Sequence, residues 1–209
     1  MTAATDLLLI PTQKERELIE QHLPGSDRLV VELCGFGLVA AAARSAQLLA
    51  RHAPRRVLLL GIAGTYTPKT ICVGHAYCFA GVHCDGIGIG TGKDHSSAGE
   101  IGWLQWDGED KIAQSLRLVG AENPEQQLLS VCAASATMDD AEQRRLRYPK
   151  TCAEDMEGFG VAVAATLANS PLTIIRGISN VAGDRSHSNW QVEDAAIAAA
   201  LKAREWLAS

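Results

Sequence analysis

Four short apolar runs constrain this chain more than anything else in its sequence: residues 7–10, 29–33, 57–60 and 172–175, each followed by glycine, proline or polar residues. Runs of this length are too short for buried helices but suit strands covered on both faces, as in a mostly parallel sheet. Between them lie alanine- and leucine-rich stretches with helical spacing, residues 39–52, 158–168 and 193–207, and Glu15 is predicted to open a further helix ending near Leu23. Strands alternating with helices give an α/β fold. The middle, residues 74–108, departs from this pattern. Gly86, Gly88, Gly90 and Gly92 alternate there, with Trp103 and Trp106 nearby, which predicts hairpin strands and a long loop. No helix-forming segment follows those glycines at once and no Gly-Lys-Ser/Thr is present, so they do not form a phosphate-binding loop.

A length of 209 residues with no internal repeat, low-complexity tract or linker predicts one domain over residues 1–209. Acidic residues outnumber basic ones, 24 to 19, and the resulting net charge of −5 disfavours nucleic acid as a partner. Met1 to Asp6 carry no basic region, and the run at 7–10 is too short for a signal or a membrane segment, so no membrane partner and a cytoplasmic location are expected. The six cysteines contain no Cys-x-x-Cys and read as reduced, buried thiols. The histidines lack ligand-like spacing, so no metal site is expected. Phe36, Trp103, Trp106 and Trp190 read as packing residues before substrate platforms.

Ligands of open α/β sheets bind beyond the carboxyl ends of strands, so the residues after each run are the candidates. After the first come Thr12-Gln13-Lys14-Glu15, where Glu15 is either a catalytic carboxylate or one favoured by a helix dipole. After the third, Gly61-Ile62-Ala63-Gly64 reads as a small-residue turn that lets a ligand approach the backbone, Gly64 included. Glu154-Asp155-Met156-Glu157 gathers three carboxylates and a methionine before an apolar helix, a set suited to accept from a vicinal diol and to pack on a sugar face. Arg176-Gly177-Ile178-Ser179-Asn180 follows the last run, and Asn180 stands either in a crevice or in an Asx-turn.

Together, Gly61 to Gly64, residues 153–157 and Arg176 to Asn180 resemble the nucleoside phosphorylase and nucleosidase superfamily over nearly the whole chain. With Arg147-Tyr148-Pro149, Gly158-Phe159 and Gly183-Asp184-Arg185 included, they look most like its futalosine hydrolases, which release hypoxanthine from futalosine in menaquinone synthesis. The resemblance implies a three-layer α/β/α fold with a central mixed β-sheet, a homodimer or larger homo-oligomer, a small-molecule purine nucleoside as partner, and no metal or organic cofactor. It implies that Glu15 deprotonates the attacking water, that Met156 and Glu157 hold the ribose with Asp155 in support, and that Asn180 faces N7 of the leaving purine. An asparagine amide can donate toward both N7 and a 6-keto oxygen, which favours hypoxanthine over adenine. The base pocket is expected to draw on residues 134–138, Thr137 among them. Leu59 and Ile62 are apolar where one group of phosphorylases has arginine and serine, which points to water as nucleophile. Methylthioadenosine/S-adenosylhomocysteine nucleosidase, nucleoside phosphorylase and a non-catalytic nucleoside-binding protein are the alternatives.

Overall fold

Each apolar run becomes a strand in the computed structural model, which describes residues 5–208; residues 1–4 of the stretch read for a leader, and residue 209, lie outside the described residues. In chain order the elements are β1 (Asp6–Ile10), α1 (Gln13–Glu20), β2 (Leu29–Leu33), α2 (Leu38–His52), β3 (Arg56–Thr65), β4 (Ala76–Cys78) and β5 (Gly81–Cys84). They continue with β6 (Gly88–Ile89), β7 (Ser96–Ser97), β8 (Ser115–Arg117), β9 (Gln127–Ser130), α3 (Met138–Arg147), β10 (Thr151–Asp155), α4 (Gly158–Leu167), β11 (Leu172–Val181) and α5 (Val192–Ala208).

Side-chain parity along the strands sorts the core into two layers, one on each side of the sheet. Leu7, Leu9, Val57, Leu59 and Ile174 pack with α2 and α4, while Leu8, Ile10, Leu58, Leu60 and Ile175 pack with α1 and α5. The result is the three-layer α/β/α architecture with a mixed sheet. Every residue of β1 is buried, so each of its leucines contributes about 1.5–3 kcal/mol of burial. On one side α5 presents alanines, Ala195, Ala196, Ala199, Ala200 and Ala203, all buried, and so lies close against β11. Gly177 is required there, because a Cβ at that position would overlap the Ala195 carbonyl oxygen.

The central sheet is mixed, with most of its strands parallel. β2, β1, β3 and β11 run parallel, and so do β5, β9 and β10, but β10 meets β3 antiparallel through Ala153 opposite Thr65 and Glu154 opposite Gly64. The two parallel sets therefore run toward each other, and the carboxyl ends of both arrive at one place. β3 differs from the sequence reading, since Gly61 to Gly64 remain in the strand instead of turning; β11 pairs with it from Val57 to Thr65. A bulge at Ser179 between the pairs Ile178–Ala63 and Asn180–Gly64 re-aims Asn180.

The predicted hairpin is present as β6 with β7. Trp103 and Trp106, expected to pack, are 58% and 53% exposed. All six cysteines are free; Cys34, Cys78 and Cys84 are buried, Cys72 and Cys152 half-buried, and Cys132 departs from the expectation by being exposed. Among the described residues no helix is long and apolar enough to cross a membrane.

Candidate functional site

A cavity of about 670 Å³ opens where the two sets of strand ends converge. Its wall takes residues from the start of α1, the end of β3, the loop after β9, the end of β10, the end of β11 and the loop before α5. Glu15, Gly64, Asp155, Met156, Glu157 and Asn180, all singled out in the sequence, line it together. Thr137 does not. It is exposed and caps the N-terminus of α3, where its hydroxyl accepts from Asp140 N–H and the Asp140 carboxylate accepts from Thr137 N–H. Of the segment 134–138, Ala134 and Ser135 line the cavity instead. Phe36 and Trp190, expected to pack, also stand on its wall, Phe36 with 63% of its surface exposed.

Glu15 is placed by its helix cap. Thr12 caps α1, accepting from Glu15 N–H at 3.2 Å and donating its hydroxyl proton to Glu15 Oε2 at 2.6 Å. Ile62 N–H donates to Glu15 Oε1 at 3.1 Å. The carboxylate is thus tied to both α1 and β3, only 8% exposed, with lone pairs left for a water. Gly61 makes this possible: a Cβ there would overlap Arg176 Nη1 and come within 2.8 Å of Glu15 Oε1.

Arg176, quoted in the motif but given no role from sequence, holds the site together. It is wholly buried, and its Nε and Nη2 donate to Asp155 Oδ2 at 3.0 and 2.5 Å while Nη2 also reaches Glu157 Oε2 at 3.2 Å. Burial opposes its charge, but Asp155, Glu157 and Glu15 outweigh burial and hold its pKa above the ordinary value. A lone cation inside an otherwise apolar strand was the signal, since a buried arginine requires carboxylate partners. Asp155 is filled in turn by Ser130 Oγ–H at 2.5 Å and Gly158 N–H at 2.9 Å, which makes it a support for Arg176 and for the start of α4.

Glu157 caps α4 backbone-wise and accepts from Gly37 N–H at 3.2 Å, joining the β2–α2 loop to the site. Burial is the largest influence on it and pushes its pKa up to about 7; Arg176 and Gly37 N–H pull the other way, while Asp155 and Glu15 add to the rise. Burial gives the direction, and three carboxylates around one guanidinium reinforce it, because the negative charge in excess of Arg176 favours taking up a proton.

Asn180 Nδ2 donates to Val181 O at 2.8 Å, and its Oδ1 accepts from Ser179 Oγ–H at 2.8 Å. Those two contacts fix the amide orientation, since a flipped amide would set oxygen against the Val181 carbonyl. The second Nδ2 proton remains to donate, and the residue is only half-buried. Asp184 also lines the cavity but accepts from Ser186 N–H and Asn189 Nδ2–H within its own loop. Among the described residues no cluster of His, Cys, Asp and Glu has the geometry to hold a metal.

Residues 4–208 match the family model described as the phosphorylase superfamily. A futalosine hydrolase of Acidothermus cellulolyticus is 36% identical over 86 residues, 41% of this chain and 35% of that protein. The alignment thus spans about a third of the futalosine hydrolase's length. A 5′-methylthioadenosine/S-adenosylhomocysteine nucleosidase of Tolumonas auensis is 26% identical over 185 residues, covering 84% of this chain and 77% of that protein. Among solved structures, the nucleosidase of the same kind from Colwellia psychrerythraea, in complex with adenine, superposes with a TM-score of 0.78 at 17% identity, covering 98% of this chain and 95% of that one.

Proposed function

This chain belongs to the phosphorylase superfamily, and from that premise we propose that it cleaves the N-glycosidic bond of a purine nucleoside with water as the nucleophile. The observation that carries the reading is the meeting of Glu15, Glu157 and Asn180 on one cavity wall, brought from three distant parts of the chain. As the C1′–N9 bond lengthens, the sugar gains oxocarbenium character and negative charge collects on the purine, so the site must stabilise both. Glu157 accepts from the ribose hydroxyls, Met156 packs on the sugar, Glu15 takes a proton from water, and the free Asn180 Nδ2 proton donates to the departing base.

The substrate we propose is a 6-oxopurine nucleoside, futalosine before others, cleaved in the cytoplasm to free hypoxanthine and the C1′-hydroxylated sugar product, the latter passing on to menaquinone synthesis. Asn180 and the local identity to a futalosine hydrolase support it. Longer coverage by a methylthioadenosine/S-adenosylhomocysteine nucleosidase favours that second reading. We infer a homodimer or larger homo-oligomer as well, supported by Phe36, on the cavity wall and 63% exposed, and by Val39, 85% exposed at the start of α2. Incubation with futalosine, methylthioadenosine and inosine, with products separated by chromatography, tests these readings. Hypoxanthine from futalosine, at equal rates with and without phosphate, is expected. Adenine from methylthioadenosine alone would transfer the assignment to the second reading, and strictly phosphate-dependent turnover would make the enzyme a phosphorylase.

A pH dependence follows from Glu157. Protonated, it has lost acceptor capacity toward two ribose hydroxyls, so kcat/KM is expected to rise with pH through an apparent value near 7 and then level off. A carboxylate in water would place that limb about two or three units lower. A profile flat from about pH 5.5 upward would contradict this role for Glu157.

A further inference from the structure

The register of the sheet puts Glu154, Gly64 and Asn180 in one lateral row, because Gly64 on β3 is opposite Glu154 on β10 and opposite Asn180 on β11. Paired residues project to the same face, and a Cβ built on Gly64 would stand 3.5 Å from Asn180 Nδ2, which confirms the face. All three line the cavity. Glu154 and Asn180 are thus two strand spacings apart, about 10 Å between their Cα atoms, with no side chain on Gly64 between them. A flat bicyclic base fits that gap with one edge toward each.

Glu154 is turned into an acceptor by everything around it. Its Oε2 accepts from Tyr66 Oη–H at 2.7 Å, Ser135 Oγ–H at 2.6 Å and Arg144 Nη1–H at 3.1 Å. Burial first, and the Glu154 charge after it, hold the Tyr66 phenol protonated far above its ordinary range, so Tyr66 can only donate. Arg144 is anchored on its other side by Asp85 and by the Ala133 carbonyl, so it does not leave. Glu154 Oε1 accepts a single bond, from Ser135 N–H at 2.8 Å, and keeps one lone-pair position. The same bond has a second effect: it occupies the one backbone donor that Ser135 could offer to a ligand.

We propose that Glu154 is a specificity-determining residue that reads position N1 of the base, accepting from a purine protonated there. The assignment rests on the nucleosidase reading above. With the one remaining Asn180 Nδ2 proton donating at N7, the edge of the base runs on through the 6-substituent to N1, which carries a proton in a 6-oxopurine and a lone pair in a 6-aminopurine. A carboxylate facing N1 bonds the first and repels the second; nothing in Glu154 can donate, and the neighbouring Ser135 N–H is already engaged. The site is therefore specific by an acceptor that an adenine ring cannot satisfy.

The test uses the unmodified protein and three free bases, hypoxanthine, 1-methylhypoxanthine and adenine, with binding followed by calorimetry. Hypoxanthine is expected to bind about 10²-fold more tightly than 1-methylhypoxanthine and at least about tenfold more tightly than adenine. Glu154→Gln, whose amide can donate to an unprotonated N1, is expected to shift the hypoxanthine-to-adenine preference by about 10²-fold toward adenine. Because the methylated base probes the same atom without altering the protein, loss of fold in the variant leaves that arm decisive. Equal binding of hypoxanthine and its 1-methyl derivative, or tighter binding of adenine, would overturn the Glu154 assignment and leave the nucleosidase reading standing. Absence of binding by all three bases, with no nucleoside cleaved, would overturn both.

Discussion

Replacing Arg176 by leucine is expected to lower the stability of the apo protein by about 3–5 kcal/mol, the range found when one partner of a buried ion pair is removed. The leucine side chain is apolar and smaller, so the loss is not one of packing alone. Asp155 and Glu157 would be left as buried carboxylates, the first with Ser130 and Gly158 as donors and the second with only Gly37. Each can escape by taking a proton, and this fixes the sign of the pH dependence. A group whose folded pKa is raised above its unfolded value binds protons preferentially in the folded state, so the deficit shrinks as pH falls and grows as pH rises through the folded value. Thermal unfolding at about pH 8 is expected to show a drop of roughly 6–20 °C, and a smaller one at about pH 5. Unfolding within about 2 °C of the parent at both values would show that Arg176 does not anchor the two carboxylates. Adding Asp155→Asn to Arg176→Leu should recover part of the loss, since the amide carries no charge and still accepts from Gly158 N–H.

The sequence disclosed those parts of the molecule whose local pattern matches their final environment. Continuous apolar runs at β1 and the first halves of β3 and β11 are buried on both faces, the run at β2 is half-buried, and alanine-rich α2, α4 and α5 cover them. Other elements lacked such a pattern. Helix α3 buries only Ala141 among its ten residues, so it leaves no apolar period to detect. β10 carries Glu154 and Asp155 in a five-residue strand, and those charges argue against a strand until Arg144 and Arg176 are seen beside them. Gly61 to Gly64 read as a turn because small residues usually end strands. Here β11 pairs along the whole stretch, and the space left by the missing side chains is taken by Arg176 and Glu15. The antiparallel meeting of β3 and β10, which brings the strand ends together, has no local signature at all; strand direction is decided by connections.

The candidate site divides in the same way. Glu15 and Asn180 were visible because each follows an apolar run, where a sheet delivers polar groups to a crevice, and Glu157 because it belongs to a cluster of acids before an apolar helix. Thr137 entered the expectation with the segment 134–138 that the resemblance implies for the base pocket, and it serves α3 as a cap. Glu154 went unread because it was one acid among three, and only the pairing of β10 with Gly64 separates its direction from that of Asp155.

Glu15→Gln and Asn180→Ala are each expected to lower kcat by about two to three orders of magnitude, and they can be told apart by leaving group. Glutamine is close to isosteric: its carbonyl oxygen can still accept from Ile62 N–H, and its NH₂ can donate to the Thr12 hydroxyl oxygen. The fold and KM should therefore change little, while the amide has no basicity with which to take a proton from water. Asn180→Ala leaves that base intact and removes the Nδ2 donor that the proposed mechanism directs at the departing purine. Its deficit should depend on how much help the leaving group needs. With a riboside of p-nitrophenol, whose anion is stable in water, Asn180→Ala is expected to recover most of its rate, whereas Glu15→Gln should remain as impaired as with inosine. Near-normal turnover of purine nucleosides by both variants would remove the hydrolytic mechanism altogether. An equal recovery of both on the activated riboside would show that Glu15 acts on the leaving base and not on water, which would reverse the direction from which the nucleophile reaches the sugar.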